Sequence, residues 1–332
     1  MPLRGGNRVT GMSRYPFREC VNEVMSKYRG NRAASTLEVM ERRYNRMERD
    51  LNQLRTEGRI STTSPKYLTV DDISVYHEFL RTRLVNGGHV CNDSIKKDFI
   101  DLDKLCSYYG NRCIDDYKAR CPALSARKST HRLPVLTTSD IDHILTTAEG
   151  LSDGDFWGLR AFALFALYTG AGLRTVEAVN AKVSNITIDD RCSTIFLEVV
   201  KGIDTYGEPR EVFIIPKFVP VIRRYLRVRQ DYLDQCGASS DYVFFSHSDF
   251  RKLTDKTIRQ IRNNAEKLCG IEFDGRMCRR SYGQYLKDRG VSIENVSVNM
   301  GHSSTKTTER YYARQRSERA ILETATTLND GE

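Results

Sequence analysis

From Phe17 to about Gly110 the apolar residues recur every three or four positions. In STLEVMERRYNRMERDLNQL, Leu37, Met40, Tyr44, Met47, Leu51 and Leu54 share one helical face, and Ser35 is placed to cap it. TVDDISVYHEFLRTRL opens on a capping box, Thr69 to Asp72, and turns Ile73, Tyr76, Leu80 and Leu84 to one side. SIKKDFIDLDKLCSYYG does the same with Ile95, Phe99, Leu102 and Leu105 and stops at Gly110, while Val21, Val24 and Met25 mark an earlier helix over 17–28. Four short amphipathic helices predict a small bundle over 17–118, after a disordered tail at 1–16. Residues 119–136 hold two prolines, basic and small residues and no period, and read as a linker.

A second domain is expected over 137–332. Another capping box, Thr137 to Asp140, starts it, and a buried helix is expected over Phe156–Tyr168, ending in the turn TGAG. STIFLEVV and EVFIIP are β-rich runs around KGIDTYGEPR and predict a hairpin, and DYVFF predicts a further short strand. LTDKTIRQIRNNAEKLCG reads as a helix carrying Lys256, Arg259 and Arg262, and from Asp274 on the chain is helical with two breaks. The fold class is mainly α with a small hairpin or sheet in the second domain, an α+β arrangement.

Composition adds a direction. The 332 residues exceed one ordinary core, and the net charge is +9. Residues 1–130 hold 24 Lys+Arg against 16 Asp+Glu, and the rest 28 against 27, so nearly all the excess lies in the first domain. That asymmetry fits either a polyanionic partner or a solvated basic surface. The most apolar stretch, FWGLRAFALFALYTGAGL, is broken by Arg160, so no membrane span is expected. Nine scattered cysteines without a C-x-x-C pair argue against a disulfide framework or a zinc ribbon and for a reducing cytosol, so a cytoplasmic chain is expected.

Several polar residues stand out. Arg174 and Glu177 lie three apart after a glycine turn, so the carboxylate can orient the guanidinium. Arg276 and Arg279 lie three apart on the helix in DGRMCRRSYGQYLKDRG, where two guanidiniums can grip one phosphate. Lys201 enters the hairpin, and His302 follows Gly301, a natural residue for ending the preceding helix. Each alone reads more readily as an ordinary surface or structural residue than as a site residue. Tyr311 and Tyr312 sit side by side among Thr, Glu, Arg and Gln.

Taken in order, TGAGLRTVEAV, VVKGIDTYGEPREV and RMCRRSYGQYLKDRGVSIENVSVNMGHSSTKTTERYY resemble the tyrosine recombinase (integrase) family from Thr137 to about Ala320. The family pattern is T-G-x-R-x-x-E, a hairpin Lys, H-x-x-R, then G-H with a Tyr nine residues after the His. The matching residues are Arg174, Glu177, Lys201, Arg279, His302 and Tyr311, and the helical first half is similar to that family's core-binding domain. One position departs: Arg276 stands where the family usually has His. A guanidinium donates to a phosphate but stays protonated near neutral pH, so it cannot accept the tyrosine proton.

The resemblance implies a site-specific recombinase acting on double-stranded DNA through a 3′-phosphotyrosyl link. Tyr311 would be the nucleophile and Lys201 the general acid. Arg174, Arg276 and Arg279 would stabilise the phosphate charge, His302 would hydrogen-bond the phosphate, and Glu177 would support the arginines, with no metal or other cofactor. The DNA would lie between two clamping domains, with Lys256, Arg259, Arg262 and Arg280 among its contacts. A homotetramer would form on two sites, from a chain that is a monomer in solution, and the helix expected in RSERAILETATTL would dock on a neighbour. Two other readings stay open. A type IB topoisomerase would relax supercoils without a specific site, and a DNA-binding protein with a degenerate site would footprint without a covalent product.

Overall fold

The computed structural model describes residues 15–85, 87–121, 133–200, 202, 207–312, 321 and 324–325. Most of the 1–16 tail, of the 119–136 linker and of the C-terminal helix expected over 316–328 lies outside them, as does Lys201. The chain divides into two units, Met1–Thr130 and His131–Glu332.

In the first unit the three-four periodicity becomes helices α1 (Pro16–Tyr28), α2 (Ala34–Thr56), α3 (Val70–Thr82) and α4 (Asn92–Tyr108). Their apolar faces close on one core in which Tyr44, Met47, Leu51, Tyr76, Leu102 and Leu105 are fully buried. The Thr69–Asp72 box forms as drawn from sequence. Two elements were not expected. A fifth helix, α5 (Cys113–Arg120), packs Ile114 and Tyr117 into the core, and a two-residue hairpin pairs β1 (Leu84–Val85) with β2 (Gly88–His89). The basic side of α2 is partly consumed inside the unit. Arg43 binds Asp101 at 2.5 Å and Arg46 binds Asp98 at 2.5 Å, while Asp50 of α2 takes Arg83, from the end of α3, at 2.7 Å. Burial pushes the Asp50 and Asp98 carboxyls above their usual range against the pull of those arginines.

The second unit is built around α7 (Phe156–Gly170), apolar around most of its circumference because α6 (Thr138–Glu149), α9 (Val219–Gln235), α10 (Asp255–Cys269) and α11 (Gly275–Asp288) pack against it. The Thr137–Asp140 box starts α6. A three-stranded antiparallel sheet, β3 (Ile186–Thr187), β4 (Thr194–Leu197) and β5 (Arg210–Phe213), carries the predicted hairpin, with Leu197 opposite Arg210 and Ile195 opposite Val212. DYVFF makes isolated bridges, Lys182 to Tyr242 and Phe245 to Lys252, and no strand of its own. Its Val243, Phe244 and Phe245 are fully buried, so the β-rich run fills a core role without a ladder. Short helices α8 (Thr175–Asn180), α12 (Ile293–Met300) and α13 (Thr305–Tyr311) hold the polar residues singled out above. Among the described residues no helix is long and apolar enough to cross a membrane.

Candidate active site

The site is organised by one buried carboxylate. α7 ends at Gly170 and the chain turns into α8, where Arg174 is the capping residue and Glu177 the third of the helix. The Arg174 N–H donates to Glu177 Oε2 at 2.7 Å and its Nη1 donates to Oε1 at 2.8 Å. Glu177 is 1% exposed and meets two further guanidiniums, Arg210 Nη2 at 3.1 Å and Arg279 Nη1 at 3.7 Å. Burial would raise the Glu177 carboxyl, but Arg279, Arg210 and Arg174 override it and hold the carboxyl below its usual range. Three guanidiniums against one carboxylate leave two surplus positive charges.

Arg279 is the deepest of the three. Its Nη1 donates to the Gly172 carbonyl and its Nη2 to the Met300 carbonyl. Burial, then the neighbouring Arg174 charge, pulls its pKa down to about 10, which still leaves it protonated at neutral pH. Arg276, three residues earlier on α11, is exposed, and its side chain has no partner among the described residues. The two arginines expected to share a face are therefore split, one in the core wall and one in solvent. Residues three apart on a helix differ by about 60° in direction, enough to separate them at the rim of a buried face.

His302 completes the wall. Its Nε2 lies 3.4 Å from Arg279 Nη2, and its Nδ1 lies 2.8 Å from Thr308 Oγ1. Thr308 donates to Ser297 Oγ at 3.1 Å and Ser297 donates to the His302 carbonyl at 3.4 Å. A carbonyl only accepts, and each hydroxyl has one hydrogen, so the chain of bonds runs one way and puts the imidazole proton on Nδ1. Nε2 is then an acceptor facing the arginines. Burial, followed by the Arg279, Arg174 and Arg210 charges, pushes the imidazole pKa down to about 3. Its ordinary value is 6.5, so the unfolded chain takes up this proton first as pH falls. The contribution is fully present above 6.5 and is lost progressively toward 3. His302→Gln is expected to flatten that part of the acid limb, read as melting temperature against pH.

The two tyrosines take different places. Tyr311, the last residue of α13, is 40% exposed, with the Arg310 guanidinium 5.2 Å from its ring. Tyr312 is half-buried. Its ring lies 4.7 Å from the His302 ring and 5.8 Å from Arg279 Cζ. Its Cβ and carbonyl come within 3.3 Å of where a side chain on Gly283 would begin, so a glycine on α11 makes room for it. A cavity of about 640 Å³ opens beside the cluster, lined by Arg174, Arg210, Val200, Gly301, His302 and Ser303 among others.

The candidate DNA contacts divide. Lys256 and Arg259 are exposed on α10. Arg262 is half-buried, its Nη2 on Asn263 at 2.5 Å and its Nε 3.5 Å from Glu266. Arg280 does not reach the surface. It is 7% exposed, and its Nε donates to the Pro134 carbonyl at 2.8 Å, tying α11 to the segment that enters α6. Sequence reasoning missed Arg210, Ser297 and Thr308. For Arg210 a signal was present: it shares the strand parity of Val212 and Ile214, both fully buried.

A helical unit with a small antiparallel sheet, buried arginines around one glutamate, a neutral histidine and a tyrosine at the end of a short helix defines a tyrosine recombinase catalytic domain. The Phage integrase family model matches residues 134–319, and the chain belongs to that family of DNA strand-exchange enzymes. It is 28% identical over 221 residues to tyrosine recombinase XerA of Pyrococcus horikoshii, covering 66% of this chain and 69% of that one. It is 25% identical over 208 residues to XerC of Pseudomonas fluorescens, covering 62% and 64%. The fold is similar to that of XerH site-specific recombinase bound to a palindromic difH substrate in a post-cleavage complex. The TM-score there is 0.64 at 18% identity, over 93% of this chain and 84% of that one. It is also similar to the Tn1549 transposon integrase in complex with transposon right end DNA, at TM-score 0.59 and 16% identity, over 92% and 98%.

Proposed function

We propose that this chain cuts and rejoins double-stranded DNA at a defined site through a 3′-phosphotyrosyl intermediate on Tyr311. The observation that carries the reading is the surplus of two positive charges around Glu177, set beside a neutral His302. A phosphodiester brings one negative charge and an attacking phenolate a second, so the five-coordinate transition state matches that surplus. Tyr311 Oη forms a bond to phosphorus, and the bond to O5′ breaks. Lys201 supplies the proton that the leaving oxygen needs. Arg174 and Arg279, with Arg276 from solvent, hold the non-bridging oxygens. Arg276 cannot take the Tyr311 proton. We assign the acceptor role to His302 Nε2, whose lone pair faces the cluster, and an anionic phosphate entering the cluster raises its affinity for a proton. A 5′-hydroxyl from another strand then reverses the attack, which is strand exchange without a nucleotide cofactor.

Both units contact DNA in this reading, Lys256 and Arg259 from the second and the exposed Arg42 and Arg49 of α2 from the first. These contacts go to phosphates and weaken steeply with salt. The working assembly is a homotetramer on two sites, and the chain works in the cytoplasm with DNA.

The test is covalent trapping on a nicked substrate carrying the attachment site, resolved on a denaturing gel. A protein–DNA band supports the reading. Binding without a band favours a DNA-binding role, and relaxation of supercoils lacking the site favours a topoisomerase. Tyr312 is assigned to packing. Tyr312→Ala is expected to slow band formation by about 10²-fold, because the end of α13 loses its seat on His302. Tyr312→Phe keeps the ring and is expected to stay near wild type in the same assay.

A further inference from the structure

We propose that Arg210 is a positioning residue of the cleavage step, holding the phosphate-binding arginines in register from the second strand of the hairpin. The proposal rests on the recombinase reading above. Arg210 opens β5 on the inward side, with its side chain 13% exposed. A guanidinium on the core side of a strand costs free energy unless its charge and donors are met. Here Nη2 meets Glu177 Oε1 at 3.1 Å and Nε donates to the Asn299 carbonyl at 3.3 Å.

Two features make this more than an internal ion pair. First, Glu177 Oε1 is shared, since Arg174 Nη1 reaches the same oxygen at 2.8 Å, so Arg210 fixes the anchor on which Arg174 swings. Second, three successive carbonyls at the end of α12 each accept from a different arginine. Asn299 takes Arg210 Nε, Met300 takes Arg279 Nη2, and Gly301 takes Arg174 Nη2 at 3.1 Å. A helix C-terminus carries partial negative charge and suits cations. Gly301, at φ +57°, is part of the fit, because a Cβ there would lie 2.7 Å from Arg210 Nε and Cζ. Asn299 also ties its own side chain to β5, accepting from the Phe213 N–H at 3.3 Å. Arg210 thus joins the sheet to the rack that holds the other two arginines, next to His302.

Arg210→Met keeps length and apolar bulk and removes the charge. On nicked DNA it is expected to bind like wild type and to form the covalent product about 10²-fold more slowly. If Arg210 acts through the charge cluster, replacing one non-bridging oxygen of the scissile phosphate by methyl should shrink that defect about tenfold, because less charge then develops for the cluster to meet. An equal defect on both substrates would mean a general folding role and overturn the proposal. So would rescue by a 5′-bridging sulfur, which would place Arg210 in leaving-group protonation instead. A variant as fast as wild type overturns it as well. Should Arg210→Met show no cooperative melt, Arg210→Lys carries the same comparison, retaining charge for Glu177 without a second fixed donor for Asn299. Wild-type protein that binds DNA and yields no covalent product would sink the recombinase reading itself, and is thereby told apart from failure of this proposal.

Discussion

Tyr311→Phe should abolish the covalent protein–DNA product while leaving DNA binding and thermal stability unchanged. The substitution removes one oxygen from a side chain that is 40% exposed, and exposed changes of this kind shift stability by no more than about 0.5 kcal/mol. No phosphorus–oxygen bond to the protein can then form at that position. The neighbouring Tyr312 is no substitute, because its ring is committed to His302 at 4.7 Å and its backbone to the Gly283 surface. Trapping wild type, Tyr311→Phe and Tyr312→Phe side by side decides the point. A product that survives in the first variant and vanishes in the second would move the nucleophile by one residue.

The largest effect on stability is expected at Glu177. With that carboxylate gone, three guanidiniums face one another, two of them largely buried, and leaving such charges unpaired costs roughly 3–5 kcal/mol. Glu177→Ala should lower the melting temperature by on the order of 10 °C. The pH dependence has a definite sign. The Glu177 carboxyl is held below its ordinary 4.5, so its contribution is present above that pH and is lost as pH falls through the lower folded value. Glu177→Gln should therefore be destabilised at neutral pH and lose less stability on acidification than wild type. Equal melting curves for the two proteins at neutral pH would contradict the central role given to this carboxylate.

What could be read in advance follows the range of the interactions. The helices of both units came from periodicity and caps, which are local, and the Arg174–Glu177 contact came from a spacing of three. Arg279, His302 and Tyr311 were reached through order along the chain. Burial was less legible. Arg279 shares α11 with Cys278 and Tyr282, both fully buried, yet sequence groups it with Arg276, because it shows a basic stripe and not where the core begins. Arg280 belongs to the same stripe and reads as a DNA contact, while its partner, the Pro134 carbonyl, lies 146 residues away. Arg210 is legible only through its parity with the buried face of β5. Its reason for being there, Glu177, is 33 residues distant. Ser297 and Thr308 look like ordinary polar helix residues until His302 folds between them.

The three successive carbonyls at the end of α12 also fix the length of that helix. Each residue advances about 100° around the axis, so deleting or inserting one residue inside α12 would turn all three acceptors away from their arginines together. A change of length should therefore be refused between Ile293 and Met300, where the helix works like a key whose teeth must all meet their pins at once.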